Sequence, residues 1–320
     1  MKILAIQNRM GIGDTIIFLP FIKALSKKYN SPISLMVKEN SKADQYLHQT
    51  SYIDKIINLE RDNKNNKKHN GFTGVFNLIK DLKKYNFDKI FIFNSSLRFN
   101  LIARFSKIPE IYQYPLFNKT NQHIINLPKK FLKERLNLDV YGDPEIQIND
   151  SLLPQTIKKF QIEKNKINIL LGIGGSGPTK RIPAKTFLNV IDRILKEKKC
   201  KFFLATGKDS QEQSILNEIL DSKFKNVCHR LDDLTIKETL PIIKCCNLAI
   251  CNDSSFSHLS SALGIKTITL MTDTPLIYGN YNSKMFPIIP DGEITVGHNT
   301  LGKEKINPEK IFNKIIEIIN

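Results

Sequence analysis

The chain has 320 residues, 41% hydrophobic and 25% charged, an ordinary globular composition with length enough for two domains. Forty-eight lysines and arginines against 31 acidic residues leave a net charge of +17, which means an anionic partner or a lysine-rich solvated surface. No apolar run reaches the ~18 residues that span a bilayer, and no zinc-finger, RRM or helix-turn-helix signature turns the charge into specific nucleic-acid recognition.

Residues 3–6 read as a buried first strand, and Asn8 and Arg9 interrupt the apolar start too soon for a signal peptide. The protein is therefore expected to be cytoplasmic. A turn with two glycines follows at 8–13, then Asp14 and a helical pattern through Ile17, Phe18, Phe21, Ile22 and Leu25. Pro20 must lie in that helix's first turn or kink it. Strands are expected at 34–37 and 53–59, with a polar run at 61–70 that reads as a mobile loop. A helix at 72–82, a strand at 89–93 capped by Asn94, Ser95 and Ser96, and a helix at 97–105 carrying Arg98 and Arg104 come next. One more helix is expected at 129–136. Strands alternating with helices predict a parallel, doubly wound sheet.

Residues 142–154 are polar, carry Pro144 and Pro154, and read as a linker between domains 1–150 and 151–320. A second alternating series follows it. Strands are expected at 167–171, 202–205, near Val227 and at 267–271, with helices at 184–196, 210–220 and 235–244. A long loop then runs to about residue 306, and an amphipathic helix at 308–319 presents Ile311, Ile315, Ile316 and Ile319 on one face. The five cysteines lack paired Cys-x-x-Cys spacing, so core thiols in a reducing compartment are favoured over zinc or disulfides.

Residues 248–264 are the focal stretch. A short apolar strand, 248–251, runs into Asn252, Asp253, Ser254 and Ser255, which supply N-cap chemistry. Leu259, Ala262 and Leu263 recur at helical spacing, and Gly264 stands where a C-cap glycine belongs. A helix N-terminus at the carboxyl end of a strand suits a phosphate. His258 lies one turn in, offset by about 100° from Leu259, which favours the edge of the cleft over the core. A capped helix with a half-buried histidine is the plainer alternative.

The loop 172–177, Gly-Ile-Gly-Gly-Ser-Gly, matches G-x-G-x-x-G after a strand, the pattern of a dinucleotide site. Pro178 follows, however, and the next strand ends Ala205-Thr206-Gly207-Lys208 without the acidic residue that reads a ribose. A phosphate cradle flanked by Lys180 and Arg181 remains, against a solvated lysine as the alternative. Asp14, at the carboxyl end of the first strand, reads as a cap or as a general base.

Gly13-Asp14 with Pro20, then Thr179-Lys180-Arg181-Ile182-Pro183, then Asn252-Asp253-Ser254-Ser255-Phe256-Ser257-His258, resemble in order and spacing the landmarks of the heptosyltransferases of glycosyltransferase family 9. The resemblance covers essentially the whole chain. It implies an α/β GT-B fold, two Rossmann-like domains with a cleft between them, binding acceptor on the first and nucleotide sugar on the second. It also implies an inverting enzyme without metal or cofactor, using ADP-heptose and a lipid-linked, anionic core-saccharide acceptor at the inner face of the membrane. Asp14 would be the general base. Gly175, Ser176, Lys180, Arg181, Asp253, Ser254, Ser255, Phe256 and His258 would bind the donor, and Gly13 and Arg98 the acceptor. Two departures concern the sugar: Ile182 stands where the family usually has tryptophan, and Ser255 where it usually has glycine. The competing readings are a GT-B nucleotide-sugar epimerase, an NAD-dependent dehydrogenase, a nucleotide-sugar-binding protein without turnover, and a basic nucleic-acid binder.

Overall fold

The computed structural model describes residues 1–9, 11–61, 67–116 and 123–319. Met10 in the first turn and residues 62–66 of the polar run lie outside the described residues. The chain divides into two compact units, Met1–Gln147 and Ile148–Asn320.

In the first unit, strands β1 (Ile3–Ile6), β2 (Ile33–Lys38), β3 (Ile53–Leu59), β4 (Lys89–Ile92) and β5 (Glu110–Gln113) form one sheet in the order β3-β2-β1-β4-β5. Every pairing is parallel. Such strands are covered on both faces, which is why β1 and β4 read as unbroken apolar runs. Helices α1 (Ile12–Tyr29), α2 (Thr73–Lys83), α3 (Leu97–Phe105) and α4 (Asn126–Leu136) make the connections. Leu78 and Leu82 of α2 and Phe99 and Ile102 of α3 pack with Leu4, Ile6, Ile90 and Ile92, the alternate residues that share one sheet face. The chain runs outward from β1 to β3, returns to β4 beside β1, and runs outward again. The order therefore reverses between β1 and β4, the place in an open parallel sheet where ligands collect.

The second unit begins with α5 (Leu153–Lys159) and repeats the plan. Strands β6 (Ile167–Gly172), β7 (Cys200–Ala205), β8 (Cys228–Arg230), β9 (Leu248–Asn252), β10 (Thr267–Leu270) and β11 (Met285–Ile288) take the order β11-β10-β9-β6-β7-β8, again all parallel. Here the order reverses between β6 and β9. Helices α6 (Ala184–Glu197), α7 (Ser210–Leu220), α8 (Ile236–Lys244), α9 (Ser255–Ala262) and α10 (Pro308–Ile319) cover the sheet. The Asp209 side chain caps α7, and Thr235 with Glu238 forms a full capping box on α8.

Several expectations change. Pro154 opens α5, so the stretch read as linker ends in a helix. β5 and β11 are short strands of four residues that lacked a clear pattern, and the strand placed at Val227 begins one residue later. Helix α1 starts at Ile12 with Gly11 as its cap, so Gly13 is helical and Pro20 is interior. α10 buries Phe312 and Ile318 with Ile311 and Ile315, leaving Ile316 and Ile319 partly covered. All five cysteines are free.

Candidate functional site

The loop leaving β6 and the turn leaving β9 meet at the sheet reversal of the second unit. Asn252 Nδ2 donates to the Ile173 carbonyl at 2.8 Å, and Thr272 Oγ1 donates to the Thr179 carbonyl at 2.9 Å, fixing the loop on both sides. Lys180 then reaches across and its Nζ donates to Asp253 Oδ2 at 2.7 Å. His258 Nε2 lies 4.0 Å from the other oxygen, Asp253 Oδ1. The opposite ring nitrogen, Nδ1, is 2.7 Å from the Tyr281 hydroxyl, and the two rings stack at 5.6 Å.

Burial governs the charges of this group. His258 is 5% exposed, and burial pushes its imidazole down to about 4, with Lys180 adding to the effect over the opposing pull of Asp253. It is neutral at ordinary pH. Burial also opposes the Asp253 carboxylate, but the Lys180 ammonium beside it wins and holds the carboxyl below its usual range. The ring expected at the edge of the cleft is enclosed, in a polar setting made by Asp253 and Tyr281.

Helix α9 starts at Ser255, after Ser254 in extended conformation, and no side chain caps it. Its first N–H groups lack intrahelical partners, and the Ser254 hydroxyl is buried without a hydrogen-bond partner. Ser254, Ser255 and Phe256 are half-buried at this end. At the other end Gly264 has φ +85°, the left-handed geometry that closes a helix.

The glycines of the β6 loop answer mainly to neighbouring side chains. A Cβ at Gly172 would stand 2.6 Å from Cys251 Sγ, and one at Gly174 would stand 2.8 Å from Glu212 Oε1. Gly207, after β7, faces the same carboxylate, with 2.4 Å between its would-be Cβ and Glu212 Oε2. Glu212 is buried and accepts the Gly175 N–H at 2.6 Å. The Gly175 amide is thus already used. Arg181 turns the same way, donating Nε to the Gly175 carbonyl at 3.1 Å and Nη1 to Asp209 at 2.6 Å and Gln211 at 2.8 Å. Ser176 stands exposed at the loop's tip.

In the first unit, Gly13 and Asp14 follow β1, and Arg98 follows β4, flanking that sheet's reversal. Gly11 has φ +99°, accessible to glycine, and caps α1 in place of the expected Asp14. Asp14 lies in the first turn, where the helix dipole favours a carboxylate. Buried Gln7 braces the segment, Nε2 to the Asp14 carbonyl at 3.3 Å and Oε1 accepting the Arg9 N–H at 3.0 Å. The Arg98 guanidinium donates to the carbonyls of Gly71 at 2.6 Å and His69 at 2.8 Å, so it holds the entry to α2.

Sequence reasoning passed over Glu212 and Tyr281. Glu212 sits third in α7 and reads as a surface carboxylate, and the clue to it was the pair of glycines, Gly174 and Gly207, at the ends of adjacent strands. Tyr281 lies in a long loop without a pattern. Among the described residues no group of three or more His, Cys, Asp or Glu is arranged to hold a metal ion.

Two doubly wound parallel sheets, the second carrying a cation and a helix N-terminus at its reversal, make a GT-B fold with a site suited to phosphate. Residues 75–286 match the model of glycosyltransferase family 9 (heptosyltransferase), and the chain belongs to that family. It is 26% identical over 309 residues to lipooligosaccharide heptosyltransferase 2 of Campylobacter jejuni, covering 89% of this chain and 93% of that one. The glycosyl transferase family 9 structure from Veillonella parvula superposes with a TM-score of 0.80 at 18% identity, covering 99% of this chain and 97% of that one. The E. coli ADP-heptose LPS heptosyltransferase II gives 0.74 at 17% identity, covering 100% and 98%. At these identities the solved structures share the fold.

Proposed function

We propose that the enzyme transfers a heptose from ADP-heptose to a lipopolysaccharide- or lipooligosaccharide-core acceptor, with inversion at the anomeric carbon and without a metal. The observation that carries this reading is Lys180 held on Asp253 beside the open start of α9. A leaving diphosphate gathers negative charge, and a fixed cation with unpaired N–H groups stabilises it as it forms. The donor and acceptor are supported by relatives: one solved structure of the same fold is an ADP-heptose LPS heptosyltransferase, and one homologue is a lipooligosaccharide heptosyltransferase.

In this reading Ser176, Lys180, Ser254, Ser255 and Phe256 contact the diphosphate, and Asp253 and His258 border the sugar. Gly175 and Arg181 shape the loop. Asp14 accepts the proton of the acceptor hydroxyl, whose oxygen bonds to the anomeric carbon as the bond to the β-phosphate oxygen breaks. The electron pair of that bond leaves with ADP. Gly13 borders the acceptor, and Arg98 acts on it through the 69–71 segment. The acceptor is lipid-linked and anionic, the enzyme works in the cytoplasm against the inner membrane face, and the 1–150 and 151–320 halves serve acceptor and donor respectively.

The test is a donor panel. Thermal stabilisation by ADP should exceed that by UDP, GDP, CMP or NAD, reaching about 2.7 kcal/mol at a ligand concentration of 100 Kd. Transfer should follow ADP-heptose with a heptose-lacking core acceptor. Turnover of a UDP- or GDP-sugar with ADP-heptose inert would overturn the assignment.

A further inference from the structure

The outer surface of α2 and α3 carries large apolar side chains that the fold does not cover. Phe72 is 78% exposed and Phe76 59%, and the two rings meet edge to face at 5.3 Å. On α3, Leu97, Leu101 and Phe105 repeat every four residues, with Phe105 62% exposed. These are outward positions, since Phe76 lies about 200° around the helix from buried Leu78. The two helices cover one sheet face side by side, and Arg98 ties the start of α3 to the carbonyls that precede α2. Five apolar side chains thus share one face of the first unit.

That face is set in positive charge. Residues 67–107 hold nine lysines and arginines (67, 68, 80, 83, 84, 89, 98, 104 and 107) against two aspartates, 81 and 88. Lys80, Lys83, Arg104 and Lys107 are exposed on or beside the two helices. Lys68 and Lys84 pair with Asp81, Lys67 with Glu39 and Lys89 with Glu110, so the outward charge rests on Lys80, Lys83, Arg104 and Lys107. Exposed aromatic and aliphatic side chains ringed by lysines match the boundary between headgroups and acyl chains of an anionic bilayer. Among the described residues no helix is long and apolar enough to cross a membrane, and docking in the interface plane does not need one.

We infer that the α2–α3 face, with Phe72, Phe76, Leu97, Leu101 and Phe105 as anchors, docks this enzyme on an anionic lipid surface. Charge brings the unit to the headgroups, and the apolar side chains then enter the interface. The inference draws its purpose from the proposed lipid-linked acceptor, but its test uses neither donor nor acceptor.

Co-sedimentation with phosphatidylglycerol-containing vesicles is compared with that on phosphatidylcholine vesicles, using the full chain. The wild type should prefer the anionic vesicles, and the preference should fall as salt screens the headgroups. Phe72→Ser/Phe76→Ser/Phe105→Ser should lower vesicle affinity at least about tenfold without a change in melting temperature. Lys80→Gln/Lys83→Gln should weaken binding and flatten its salt dependence. Wild-type vesicle binding by the triple-serine variant overturns the inference. So does a triple variant that converts a dimer to a monomer in sedimentation velocity while vesicle binding is unchanged, which would make the face a contact between copies of this chain. ADP-heptose turnover with a soluble, deacylated core acceptor is read separately. Its failure beside intact vesicle binding would sink the proposed transfer and leave the docking face standing.

Discussion

Lys180→Met separates what the lysine does for the fold from what it does for the donor. Asp253 is 4% exposed, and its carboxylate keeps its charge because Lys180 Nζ stands 2.7 Å from Oδ2. Methionine preserves the aliphatic stem and deletes the charge. Removing one partner of a fully buried pair costs about 3–5 kcal/mol. The Lys180 side chain is 21% exposed, so solvent screens part of the interaction, and a loss of roughly 2–3 kcal/mol is expected. In a unit of this size each kcal/mol moves the melting temperature by about 2–4 °C, which gives a transition roughly 4–12 °C earlier. A depressed carboxyl contributes stability above its ordinary value of 3.8, lost as pH falls through the folded value. The gap between wild type and variant should therefore be widest near neutral pH and close in acid. Asp253→Asn added to Lys180→Met should recover most of the melting temperature, because no uncompensated charge remains. It should not recover ADP binding, where a lost charge-assisted contact weakens affinity roughly 10- to 150-fold. Scanning calorimetry and calorimetric ADP titration read the two effects. A single variant that melts with the wild type, or a double variant that binds ADP normally, refutes the reasoning.

Asp14→Asn should leave melting and ADP affinity nearly intact while lowering transfer by about two to four orders of magnitude; unchanged turnover returns Asp14 to a helix-terminal charge. Glu212→Ala strands the Gly175 N–H in a buried place and should cost about 1–3 kcal/mol while raising the donor KM more than it lowers kcat. Glu212→Gln keeps an acceptor there and should recover most of both, and equal kinetics in all three proteins would remove Glu212 from the loop's support. Because His258 is neutral in the fold with its value pushed down to about 4, protonation favours the unfolded chain. Stability should begin to fall below about pH 6.5 and level off near 4, by roughly 3 kcal/mol, and His258→Asn should flatten that slope in melting temperature against pH.

The doubly wound plan was legible because parallel strands buried on both faces leave continuous apolar runs. β1, β4, β6, β7 and β9 all show that signature, and the helices between them show apolar spacing. β5 and β11 escaped because edge strands are only partly covered, so Glu110–Gln113 mixes charged and polar residues with apolar ones and Met285–Ile288 carries a proline, and α5 because a polar sequence with prolines resembles a linker. Gly264 was readable from capping chemistry, since left-handed geometry selects glycine, whereas the polar residues 252–255 located the α9 turn although none of their side chains caps the helix. Nothing local announces that Glu212 is buried, that Arg181 faces α7, or that Tyr281 returns to His258. Those facts depend on contacts between segments many residues apart, which a helical or strand period does not encode.

The second unit gathers several of its costly groups in one place. Lys180, Asp253, His258, Glu212 and Arg181 are charged or ionisable side chains gathered at the carboxyl ends of β6, β7 and β9, directly above a core of Ile169, Leu171, Phe202, Leu204 and Ile250. A buried ion pair is weak evidence for stability, because apolar residues of similar volume often serve a fold as well or better. The same holds for an enclosed neutral histidine, which loses its preferred solvation. Local rules broken together, at the point where a parallel sheet reverses, support the proposed donor site. Ile182 sharpens the contrast, being fully buried in that core two residues after Lys180. Its side chain serves the packing of that core. Introducing an aromatic side chain by Ile182→Trp would overfill that close-packed core and cost about 1–3 kcal/mol. A variant that kept the wild-type melting temperature would show instead that the position opens toward the site.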